Sequence, residues 1–149
     1  MTSDQSGGPL RRKLGIRPGE PVLVLGDPFE FDVTSLAIAD GPDDALRMGK
    51  PGSYPVVLLF CPESSTLHSL FGFAKAAHTT TGSLWVCWPK RASGIVTDLT
   101  DVVVRDYGLA GGRVDIKVAA IDPTWSGLKF VIRLSERRAR SNRRVRLDH

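Results

Sequence analysis

A chain of 149 residues, 42% apolar and 24% charged, has the size and composition of one domain with its own core, which excludes a disordered chain. No apolar run approaches the eighteen or so residues of a membrane helix, and two cysteines, Cys61 and Cys87, cannot form a disulfide framework. The formal net charge of +4 lies wholly between Glu136 and His149, where six arginines face Glu136 and Asp148, so the rest of the chain balances to zero.

Residues 1–12 are polar and Gly-rich, are expected to lack regular structure, and show no apolar stretch of a secretory signal. Leu14 to Pro18 reads as a lead-in to a first strand, Pro21 to Gly26, which is apolar on both faces as a parallel strand covered by helices must be. Phe29 to Gly52 is expected to hold a short helix over Thr34–Asp40, a turn at Gly41–Asp44 and an edge strand. Pro55 to Cys61 is a second buried strand, stopped by Pro62. Ser64 or Ser65 then caps a helix running to about Thr79, with Leu67, Leu70, Phe71, Ala74 and Ala77 on one face.

Ser83 to Pro89 is the third buried strand. Thr97 is expected to cap the next helix, with Asp98 and Asp101 in its first turn and Leu99, Val102, Val103 and Tyr107 facing inward. Val114–Asp122 and Leu128–Leu134 alternate around a short turn and read as a β-hairpin. The order predicts an α/β fold: a small three-layer Rossmann-like sheet, mostly parallel, ending in an antiparallel hairpin. The domain spans 13–135, and 136–149 form a basic tail, unstructured or helical.

This arrangement over the last hundred residues or so resembles the second half of the class I methyltransferase fold. Three strings resemble more closely a small bacterial family catalogued as domain of unknown function 3052. They are Lys13-Leu14-Gly15-Ile16-Arg17-Pro18-Gly19, the run from Leu84 to Gly94 followed by Thr97-Asp98-Leu99, and the run from Ala120 to Val131. That resemblance implies a fold and no activity. The chain departs from working methyltransferases after its first strand, where Gly26-Asp27-Pro28-Phe29 replaces an acidic residue and a glycine-rich turn.

Ligands of doubly wound sheets bind at the carboxyl ends of the parallel strands. That rim collects the ligand-binding candidates Asp27, Glu63, Trp88, Lys90, Arg91, Ser93, Gly94, Thr97, Asp122, Trp125 and Ser126. Lys90 to Thr97 combines cations with a helix N-terminus, the makings of an anion site or simply a polar loop. Asp122 is expected to build a turn with Gly127 at positive φ, and Trp125 either folds back or covers a ligand. Cys61 and Cys87 end neighbouring strands and read as inert packing rather than a redox or metal pair; with His68, His78 and His149 scattered, no metal site is expected.

The resulting reading is a cytoplasmic, non-catalytic binding module for a small anionic ligand or a protein partner, with no cofactor expected and no membrane. A homo-oligomer stays open. The alternative is a small S-adenosylmethionine- or nucleotide-dependent enzyme acting at the same rim. A second alternative is electrostatic nucleic-acid binding through Arg137, Arg138, Arg140, Arg143, Arg144 and Arg146, against a tail that merely solubilises.

Overall fold

The computed structural model describes residues 3–31 and 51–147, so the expected elements over Thr34–Asp40 and Gly41–Asp44 lie outside the described residues. The described elements run α1 (Ser3–Leu14), β1 (Val22–Gly26), β2 (Tyr54–Phe60), α2 (Ser64–Ala77), β3 (His78–Pro89), a 3-10 turn (Arg91–Ser93), α3 (Asp101–Ala110), β4 (Val114–Ala120), β5 (Trp125–Val131) and α4 (Leu134–Leu147). Among the described residues the five strands form one sheet in the order β1-β2-β3-β5-β4. The first three are parallel, and β5 is antiparallel to both β3 and β4. The α/β architecture with a terminal antiparallel hairpin is the one the alternation of buried runs implies. No helix of the described residues is long and apolar enough to cross a membrane.

Strand periodicity splits the core into two faces. Leu23, Leu25, Val57, Leu59, Leu84, Val86, Leu128 and Phe130 point to the side covered by α2 and α3. Val22, Val24, Val56, Leu58, Phe60, Trp85 and Trp125 point to the other, where Leu14 and Ile16 complete the packing and Leu10, Phe29 and Phe31 lie against it. Contact on the first side is close. Gly108 of α3 sits under Phe130, where an added Cβ would come within 2.1 Å of the ring.

Several local expectations are corrected by tertiary contacts. The N-terminal segment expected without structure is helical from Ser3, because Leu14 is fully buried and its carbonyl accepts the Trp85 indole N–H at 3.1 Å. Arg11, Arg12 and Lys13 in the last turn also complement the helix dipole. β3 begins at His78 rather than Ser83, since His78 pairs with Tyr54 and carries the polar Thr79–Thr81 into the sheet. α3 starts at Asp101 and is capped by Thr100, whose hydroxyl accepts the Val103 N–H. Its buried residues are therefore Val104 and Gly108, while Val102 and Val103 stay exposed. α2 receives no cap bond from its own N-cap side chain, that of Glu63.

At the end opposite the strand tips, His78 and Arg113 are buried together. His78 Nδ1 lies 2.7 Å from the Thr79 carbonyl and so carries the proton, leaving Nε2 to accept from Arg113 Nε at 3.0 Å. Arg113 also donates to the Lys75 carbonyl in the last turn of α2. Burial, joined by the charges of Arg113 and Arg140, lowers the His78 pKa from 6.5 to about 4. The unfolded chain binds this proton more readily than the folded one, so the contribution is complete above pH 6.5 and disappears as pH falls towards 4. Urea unfolding should lose about 3 kcal/mol from this group across that window. A His78→Gln variant, which keeps an acceptor and cannot titrate, should show a shallower acid slope. An unchanged slope would mean that His78 does not control it.

Candidate functional site

The three parallel strands end at Gly26, Phe60 and Pro89, and the loops leaving those three ends build the rim. Gly26 takes φ +89°, and a Cβ there would stand 2.1 Å from the Phe60 carbonyl oxygen. The next residue donates its N–H to that same oxygen at 3.0 Å, which leaves the Asp27 side chain exposed at the end of β1. Glu63 is exposed at the end of β2 and accepts from the Ser65 hydroxyl. Neither carboxylate forms an ion pair among the described residues.

The first turn of α2 is capped from outside its own helix. Ser64 donates its backbone N–H to one oxygen of Asp98 at 2.8 Å and its hydroxyl to the other at 2.5 Å. These bonds, the hydroxyl's first, lower the Asp98 pKa. Asp98, expected in the first turn of α3, instead joins the loop before α3 to the start of α2.

Beyond β3, the Lys90 N–H donates to the Thr124 carbonyl at 2.8 Å, fastening this loop to the hairpin turn. The Ser93 hydroxyl donates to the Lys90 carbonyl and accepts from the Ile95 N–H, and Gly94 closes the 3-10 turn at φ +79°. Thr97, expected as a helix cap, accepts from the Leu99 N–H two residues on. The segment leading to α3 stays open between them and borders a cleft of about 540 Å³.

Trp88, Arg91, Gly94, Thr97 and Ser126 line that cleft together, as the strand-end argument places them. Ile95, Leu99 and Val118 add apolar wall, and Asp101 is the acid beside them. Trp88 is 6% exposed, and its indole N–H, unlike those of Trp85 and Trp125, has no protein acceptor among the described residues. Val96, 95% exposed at the cleft mouth, had no sequence signal, because an apolar residue in a loop reads as a buried anchor. Asp101 and Val118 were equally hidden, since their place depends on where α3 starts and how β4 pairs.

The remaining candidates have other duties. Asp122 accepts from the N–H groups of Thr124 at 2.8 Å and Trp125 at 2.7 Å and so builds the turn. Trp125 is fully buried, donates to the Phe29 carbonyl at 2.9 Å and packs on the rings of Phe29 and Phe60, with centroids 4.9 and 5.0 Å away. Gly127 lies within β5, not at a positive-φ turn; its missing side chain leaves room for Ile121 and Trp85. Cys61 and Cys87 are adjacent in backbone, Cys61 N–H to Cys87 O at 2.8 Å, yet their side chains pack on opposite faces. Burial pushes the Cys61 thiol up to about 12 and raises that of Cys87, so both are poor nucleophiles at neutral pH. No cluster of three or more metal-ligating residues exists among the described residues. Arg137, Arg138 and Arg140 lie on α4, whose last turns hold Arg143, Arg144 and Arg146.

No protein-family model and no curated protein matches the sequence. Solved structures do. An S-adenosylmethionine-dependent methyltransferase from Aquifex aeolicus matches with a TM-score of 0.53 at 10% identity, covering 89% of this chain and 92% of its own. The ribosomal protein L11 methylase of Lactobacillus delbrueckii subsp. bulgaricus gives 0.51 at 9% identity, over 89% and 79% of the two chains. A chain of a fibrillarin/Nop5p complex gives 0.51 at 13% identity, over 84% and 83%. At these identities the likeness establishes a Rossmann-like, methyltransferase-like fold. The neighbours also correct the reading of a non-catalytic module that needs no cofactor: the fold this chain shares with the Aquifex methyltransferase and the L11 methylase takes in 92% and 79% of those chains.

The Asp122 turn gives a direct check on the rim's construction. Asp122→Ala removes the acceptor for two N–H groups and should cost about 1–3 kcal/mol in chemical denaturation. Asp122→Asn, which keeps a carbonyl oxygen, should recover most of that loss.

Proposed function

We propose that the chain is an S-adenosylmethionine-dependent enzyme of the methyltransferase class, with the cofactor at the ends of β1 and β2 and the acceptor molecule in the Trp88 cleft. The observation that carries this reading is the sheet order with its antiparallel β5, which aligns most of the chain with a methyltransferase of nearly the same extent.

The rim fits such a cofactor through side chains rather than through a glycine loop. Gly26 offers no cradle, because the Phe60 carbonyl occupies the space beside it, and Pro28 has no N–H to donate. Asp27 and Glu63, exposed and without ion pairs among the described residues, are acceptors suited to ribose hydroxyls and an amino group. When bound, S-adenosylmethionine supplies a methyl group on a positively charged sulfur.

The chain's own residues then orient the acceptor. Trp88, Ile95, Leu99 and Val118 exclude water from one side of the cleft, while the free Trp88 N–H and the Ser126 hydroxyl fix a polar group. Arg91 suits an anionic substituent, and the Asp101 carboxylate is placed to take a proton from the acceptor atom.

Thermal shift and calorimetry with S-adenosylmethionine and S-adenosylhomocysteine test the reading. A ligand at a hundred times its Kd adds about 2.7 kcal/mol, worth roughly 3–8 °C in a domain of this size. Replacing Asp27 and Glu63 by alanine should remove the shift, whereas Trp88→Phe should keep it and impair only turnover. Absence of any shift or heat with both ligands would overturn the cofactor assignment.

A further inference from the structure

We propose that the edge of the sheet opposite the strand tips is a docking basin for the phosphate backbone of a nucleic acid. This surface lies apart from the rim and the inference does not depend on the proposed activity. A cavity of about 840 Å³ opens where β2 and β3 begin and β5 ends, and four cations from four segments converge on it. Arg12 comes from α1, Arg17 from the following loop, Lys129 from β5 and Arg137 from α4. Glu20 is the only acid in its lining among the described residues, and Thr79, Thr81 and Ser83 add hydroxyl donors along β3.

Several other cations are held by acceptors within the fold. Elsewhere Arg105 pairs with Asp101 and Asp115, Arg140 with Glu136, Arg113 with His78 and the Lys75 carbonyl, and Lys75 with the Gly111 carbonyl. Among the described residues none of Arg12, Arg17, Lys129 and Arg137 forms an ion pair. The Nε of Arg137 is buried with no acceptor among the described residues. Lys129 Nζ lies against Gly15, and partial burial together with the charge of Lys117 lowers its pKa. Four converging cations against the single acid Glu20 repel one another, Lys129 and Arg137 are in addition partly buried, and a phosphate oxygen relieves both costs.

The extent of the basic surface favours a polymer over a small phosphate ester. α4 holds fourteen residues, about 21 Å of helix, with six arginines against Glu136. Its first turns reach the basin through Arg137. Among the described residues no aromatic side chain lines the cavity, so the contact is to backbone rather than to stacked bases and carries no sequence preference.

Fluorescence anisotropy of the full chain with a labelled mixed-sequence single-stranded RNA of about 20 nucleotides tests this between about 50 and 200 mM salt. Four phosphate contacts predict a slope of log affinity against log salt of about −3, steeper where α4 adds to it. Lys129→Ala and Arg137→Ala should each weaken binding about threefold to tenfold and flatten the slope by roughly 0.7. Glu20→Gln should tighten it. Circular dichroism of each variant separates lost contact from lost fold. Affinity unmoved by all three substitutions would place binding on the tail alone and overturn the basin. Binding that inorganic phosphate abolishes at equal charge concentration, or that anionic lipid vesicles outcompete, would likewise overturn a nucleic-acid ligand.

Discussion

Trp85 and Trp125 stand on the same face of the sheet, and each gives its indole N–H to a backbone carbonyl arriving from the N-terminal part of the chain. One reaches Leu14 at the end of α1, the other Phe29 after β1. A buried indole without an acceptor would cost about 1–3 kcal/mol, so both positions fix where these segments lie. The opposite face is closed by two helices, α2 and α3, whereas among the described residues this face is covered by α1 and loops. The two indoles tie these short described pieces into a layer. Phe29, Phe60 and Trp125 then form one aromatic group that seats the end of β1 against the hairpin.

The strands were legible because Val22–Leu25, Val56–Phe60 and Leu84–Trp88 are continuous apolar runs, which only a sheet buried on both faces accommodates. Helix starts were less legible. Thr97 and Thr100 both precede an aspartate in the sequence, and what separates them is that Asp98 is drawn away to Ser64, thirty-four residues earlier. Sequence spacing holds no trace of that contact. The same displacement moved the inner stripe of α3 from Val102 and Val103 to Val104 and Gly108. At the site, five of the residues that the strand-end argument collects, Trp88, Arg91, Gly94, Thr97 and Ser126, lie along one cleft. Asp27, Glu63, Lys90, Ser93, Asp122 and Trp125 are not in its lining. The turn built by Asp122 is the one expected from its spacing, and Trp125 takes the inward one of its two expected directions; the positive φ expected at Gly127 is absent, because that residue pairs within β5.

The two edges of the sheet differ in chemistry. At the strand tips the exposed acids Asp27 and Glu63 stand with Lys90 and Arg91, while the far end gathers Arg12, Arg17, Lys129 and Arg137 against Glu20. Outside the last fourteen residues the sequence sums to zero charge, so the edge charges reflect distribution rather than excess. Such a separation gives the molecule a polarity along its strands, and a polyanion approaching by diffusion meets one end preferentially.

The bulge in β4 has its own consequence for how the chain behaves at high concentration. Register shifts between Asp115 and Lys117 opposite β5, at the outermost strand of the described sheet, where Ile116 and Val118 are more than half exposed. An apolar outer strand with an even ladder would template the addition of another copy, and then another. Here the ladder changes phase midway, and a charged lysine follows the break. An arriving strand can match the donors and acceptors on one side of Ile116 or the other, but not both. Growth of the sheet into a fibre is thus interrupted by one displaced residue, which lets the edge keep its apolar side chains in water.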